Sequence, residues 1–170
     1  MQMKHEKPTK LLMVETKDVI EIHERIIKET GGNSGVISYG NIDFVVNQAN
    51  LAKEFFTQAA RMLHGLITCH GFVDGNKRTA FVATESLLRG RDLKFFANEE
   101  EIWEIAHEIA EEKVKLPEIV SRLRKNVGEL MKKKTFVEHA EDIIKEKKEL
   151  LKRFAEEDKY LDFNKKKKNQ

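Results

Sequence analysis

Residues 70–81 read HGFVDGNKRTAF, and the patterns on either side decide the fold. From Leu51 to about Cys69 the apolar positions Phe55, Ala59, Met62, Leu63, Leu66 and Ile67 recur at helical spacing, and TAFVATESLLRG continues as a second apolar helix that ends at Gly90. The quoted stretch is therefore a loop between two core helices, with the second starting near Gly75 or Asn76. A helix start presents unpaired backbone N–H groups and the positive end of the helix dipole, which together attract an anion such as phosphate. Gly75 lets the backbone approach a ligand closely, and Asn76, Lys77 and Arg78 add donors and positive charge. Asp74 is a hard oxygen ligand suited to Mg2+ held against phosphate oxygens. His70 takes up a proton near neutral pH. Packing alone does not call for this combination; transfer of a phosphate group to a hydroxyl does.

Outward from the loop the chain reads as helices. Thr16 is expected to cap VIEIHERIIKET, which ends at Gly31-Gly32. The glycine-rich NSGVISYGN follows as a loop or short hairpin, with Asn41 as a cap for IDFVVNQA. Asn98 with Glu101 and Thr135 with Glu138 have capping-box spacing, and Pro117 suits a helix start. Short strands are expected only near Val36 and Leu93. The fold class is all-α, with a main helical domain over residues 1–125 and, over 126–170, a basic C-terminal extension. That extension carries an amphipathic helix through Val137, Ala140, Ile144, Leu151 and Phe154 and ends in a disordered Lys-rich segment. An apolar stripe of this kind has to be covered by its own domain, a partner or a second copy, so homo-oligomerisation through this helix is one expectation.

Composition narrows the classes of function. The chain has 170 residues, of which 40% are hydrophobic and 35% charged, with two prolines, as in ordered globular proteins rich in helix formers. Residues 1–125 hold 18 Lys and Arg against 19 Asp and Glu, so the main domain has no basic surplus and nucleic acid is not its expected partner. Residues 126–170 hold 13 against 10. One cysteine, Cys69, cannot form an internal disulfide. With no run long enough for a membrane span and no apolar core of a signal peptide near the start, a cytoplasmic location is expected. A P-loop does not fit, because the second glycine falls one position early and Lys77 does not follow it. Cys69 reads as structural, and His23, His64 and His107, each alone on a helix, read as ordinary helix histidines.

The quoted stretch resembles the signature of the Fic/Doc (Fido) family, His-x-Phe-x-Asp/Glu/Asn-Gly/Ala-Asn-Gly/Lys-Arg, at every defining position. It is most similar to the death-on-curing branch: Lys77 stands where Fic adenylyltransferases have a second glycine, and Phe81 where many have a further arginine. The order of helices and loop supports this over about residues 12–125. The resemblance implies a Fido-type helical bundle that uses ATP and Mg2+. His70 would be the general base, Asp74 the metal ligand, and Gly75, Asn76, Lys77 and Arg78 the phosphate holders, with Phe72 anchoring the loop. It further implies a toxin of a toxin–antitoxin system that phosphorylates a Ser/Thr hydroxyl of a protein, such as an elongation factor, and is held in check by a separate antitoxin. The inhibitory sequence Ser/Thr-x-x-x-Glu-Gly/Asn of many Fic proteins is missing from this chain. Protein AMPylation and a non-catalytic helical interaction protein are the alternatives that the residues leave open. Lys77 favours phosphorylation over AMPylation by narrowing the space beside the anion site.

Overall fold

The computed structural model describes residues 11–95, 97–129 and 134–168. Eight helices are found among them: α1 (Thr16–Thr30), α2 (Tyr39–Asn50), α3 (Phe55–Thr68), α4 (Asn76–Arg89), α5 (Glu99–Ala110), α6 (Leu116–Lys125), α7 (Phe136–Glu146) and α8 (Lys148–Lys168). The class is all-α, and the one sheet is minimal. β1 (Leu93–Phe95) pairs antiparallel with β2 (Val127–Glu129), Lys94 opposite Gly128. No helix among the described residues is long and apolar enough to cross a membrane.

α3 and α4 pack against each other at the centre, with α2 and α6 on α3, and α1 and α7 on α4. α4 is buried along its whole length from Arg78 to Arg89, which is why its sequence is apolar on every side between Ala80 and Ala83. The loop of residues 69–75 is thus held between two helices that cannot move without opening the core.

The capping boxes at Asn98/Glu101 and Thr135/Glu138 are present, each with its reciprocal pair of hydrogen bonds. Two expected caps differ. Thr16 lies inside α1, where its hydroxyl donates to Asp43 Oδ1 at 2.7 Å and so ties α1 to α2; Glu15 is the N-cap. α2 begins three residues before the expected start, because extended Ser38 accepts from the Asn41 N–H through Oγ.

The region after residue 125 departs furthest from expectation. The expected single amphipathic helix is two, α7 and α8, separated at Lys147. Its stripe is covered by its own chain: Ala140, Ile143, Ile144, Leu150, Leu151 and Phe154 join the same hydrophobic cluster as α1, α3 and α4. The surface that argued for a contact with a second copy is therefore already used. The Lys-rich end, expected to be disordered, is helical to Lys168; residues 169 and 170 lie outside the described residues.

Candidate active site

Gly75 is the N-cap of α4. It sits in the left-handed region at φ 80° and gives the helix no side-chain cap. The first bond of helical spacing runs from the Thr79 N–H to Gly75 O at 2.9 Å, so the N–H groups of Asn76, Lys77 and Arg78 have no acceptor within the helix. They form a concave donor set at the positive end of the dipole, suited to an anion. A side chain at position 75 would adopt a strained backbone and press within 3.1 Å of Ile27 Cδ1.

The loop ahead of the helix is cross-braced. The Asn76 side chain folds back, accepting from the Phe72 N–H at 3.1 Å and donating to Phe72 O at 3.0 Å. Its amide closes the turn, while its main-chain N–H stays with the donor set. Asp74 Oδ1 accepts from the Gly75 N–H at 2.6 Å and from Arg78 Nη2 at 2.9 Å, and Oδ2 accepts from the Asn33 N–H at 3.2 Å. Of the roughly four acceptor positions of a carboxylate, that leaves one on Oδ2.

Arg78 is fully buried, with 0% exposure. Besides Asp74 it donates to Thr30 Oγ1 at 2.8 Å and to Gly31 O at 2.6 Å. The expected phosphate holder spends its guanidinium on protein acceptors, tying the end of α1 to the start of α4. Lys77 is also engaged: Nζ lies 3.2 Å from Asp158 Oδ1 and 3.8 Å from Glu157 Oε2, both on α8. Burial, the largest influence, pushes the Asp158 carboxyl above its ordinary range; Lys77 pulls it down and Asp74 adds to the rise.

His70 follows the end of α3, exposed and in left-handed conformation at φ 48°. Its position is fixed by the neighbouring backbone. Gly71 O accepts from the N–H groups of Ile37 and Ser38 at 2.8 and 3.1 Å, the Val73 N–H donates to Gly35 O at 3.0 Å, and Val36 pairs with Phe72 as an antiparallel bridge. His70, Phe72, Asp74, Asn76, Lys77 and Asp158 line one cleft of about 370 Å³, together with Ile37 and Val73, which falls in the range of small-ligand sites. Cys69 is the C-cap of α3, and burial pushes its thiol pKa up.

A nucleotide phosphate fits the donor set, because three N–H groups and a glycine cap meet at one cleft, where the Asp158 carboxylate beside Lys77 is the opposing charge. A Mg2+ ion fits one free position on Asp74. No group of three or more His, Cys, Asp or Glu side chains among the described residues could hold a metal, and a cation shared between one carboxylate and phosphate oxygens is the usual binding mode of Mg2+.

Two residues with no expected role contact these groups. His23, expected to be an ordinary helix histidine, is 1% exposed and stacks on Phe72 with ring centroids 4.0 Å apart and an interplanar angle of 10°. Its Nε2 lies 2.9 Å from Asp74 O. Its pKa is lowered, chiefly by burial and further by the charge of Arg78. Asp158 is the other, brought to Lys77 by α8. Neither has a local signal, since His23 is 51 residues from Asp74 and Asp158 is 81 residues from Lys77.

No curated protein matches the chain. Residues 13–88, from just before α1 to the last turn of α4 and including all of HGFVDGNKRTAF, match the model of the Fic/DOC family, whose members are in general protein-modifying transferases.

Proposed function

We propose that this chain transfers a phosphate group from ATP to a Ser or Thr hydroxyl of a protein, as a toxin of the death-on-curing type acting on a translation factor. The observation that carries the reading is the uncapped start of α4 at Gly75, opening into the same cleft as His70 and Asp74. In this reading the N–H groups of Asn76, Lys77 and Arg78 hold phosphate oxygens, with the Lys77 ammonium beside them. Asp74 would hold Mg2+, which supplies charge neutralisation on the phosphates. Arg78 keeps the Asp74 carboxylate in place. His70 accepts the proton of the target hydroxyl as its oxygen forms a bond to the γ-phosphorus, and the bond from that phosphorus to the β-phosphate bridge breaks to release ADP.

The target segment lies against the backbone between Gly31 and Gly40. There Val36, Ile37 and Tyr39 are exposed beside Val73, giving an apolar strip next to His70. Incubation with target lysate and ATP labelled at either phosphorus tests the reaction. Label from the γ position on protein is expected; label from the α position means AMP transfer instead, and no label from either rejects a transferase.

A further inference from the structure

We infer that His23, which lies outside the motif, is a positioning residue that fixes the Asp74–Gly75 peptide on which the phosphate and metal site is built. The inference rests on the reading of that site given above. A carbonyl oxygen only accepts, so the 2.9 Å contact between His23 Nε2 and Asp74 O requires the ring hydrogen on Nε2. The Asp74 carbonyl and the Gly75 N–H belong to one planar peptide unit, so holding the oxygen also sets the direction of the N–H. That N–H donates to Asp74 Oδ1 at 2.6 Å and thereby aims the carboxylate. The His23 ring face meanwhile lies flat on Phe72, whose own N–H and carbonyl are tied to Asn76. One side chain from α1 therefore touches both ends of the turn, and a second residue of α1, Ile27, fills the space where a Gly75 side chain would go.

Two substitutions separate the stack from the hydrogen bond. His23→Phe keeps an aromatic ring of similar size on Phe72 but has no donor for Asp74 O. His23→Gln loses the ring but carries an N–H close to the position of Nε2. Both variants are first checked for folding by thermal melting, then compared by hydrogen exchange of the peptide covering residues 70–77 and by titration with Mg-ATP. His23→Phe is expected to exchange about tenfold faster across this peptide and to bind Mg-ATP about tenfold more weakly, as for loss of one buried hydrogen bond. His23→Gln is expected to stay within about threefold of wild type in both. Wild-type exchange in His23→Phe, or loss in His23→Gln equal to that in His23→Phe, overturns the inference. If the wild-type chain does not bind Mg-ATP, the proposed site fails, while the exchange comparison still decides whether His23 positions the loop.

Discussion

His70 shows how a residue can be chosen against local stability. The position after the end of a helix that turns into the left-handed region ordinarily goes to glycine, and here a histidine occupies it at φ 48°. Such a backbone costs an L-residue on the order of 1 kcal/mol, and the imidazole in the cleft is what the chain gains. His70→Gly is expected to abolish transfer and raise the melting temperature by about 2 °C, the shift that a gain near 1 kcal/mol gives in a chain of this size. His70→Ala is expected to lose transfer by about 10²- to 10⁴-fold, as for removal of a general base, without the rise in melting temperature. Equal melting temperatures for the two variants would show that the backbone there carries no strain. Arg78 illustrates the opposite case, in which charge was legible and placement was not. A cation four residues after Asp74 reads equally well as a ligand for phosphate or as a clamp on that carboxylate, and only the arrival of Thr30 and Gly31 from α1 decides for the clamp.

At the scale of elements, α8 brings carboxylates to the site proposed for an anion. Asp158 lies 3.2 Å from Lys77 Nζ, so a bound phosphate has to compete for the same ammonium. α8 does not depend on that contact for its place, since Phe154 stacks on Trp103 at 4.9 Å and Arg153 pairs with Glu100. Asp158→Asn is therefore expected to leave α8 docked and to tighten ATP binding by up to about fivefold, the range of one partly exposed charge pair. Titration calorimetry reads this directly, and weaker binding would make Asp158 part of the site instead of a competitor. The elements themselves were legible where local chemistry sets them, as at Asn98/Glu101 and at Gly75. The break between α7 and α8 was not, because apolar positions run on at helical spacing from Ala140 and Ile144 through Leu151 to Phe154, and Lys147 is neither glycine nor proline. What folds the second helix back is the surface offered by α1, α4 and α5, which no local pattern contains.

At the scale of the whole molecule, α7 seals the core with a buried histidine. His139 is 1% exposed, and among the described residues no acceptor or donor meets its Nε2. Burial lowers its pKa from the ordinary 6.5, and the charge of Arg89 lowers it further, against an opposing pull from Asp142. In the unfolded chain the same ring titrates near 6.5, so below that pH the unfolded state binds the proton that the folded state refuses, and stability falls as pH drops. Buried Glu85 works the other way: its pKa is raised above the usual carboxylate value, chiefly by burial, so its contribution favours the folded state at lower pH. Replacing His139 isolates one of these two effects. His139→Leu fills the space with an apolar side chain of similar size and removes the titration, and because Nε2 has no partner among the described residues, no hydrogen bond seen at that atom is lost. The wild-type melting temperature is expected to drop between about pH 7.5 and about pH 5.5, and the drop is expected to be smaller in His139→Leu. His23, lowered in pKa by burial in the same way, contributes to the slope that remains. Parallel curves for the two proteins would show that His139 takes up its proton as readily in the folded chain as in the unfolded one, and that α7 opens to let it do so.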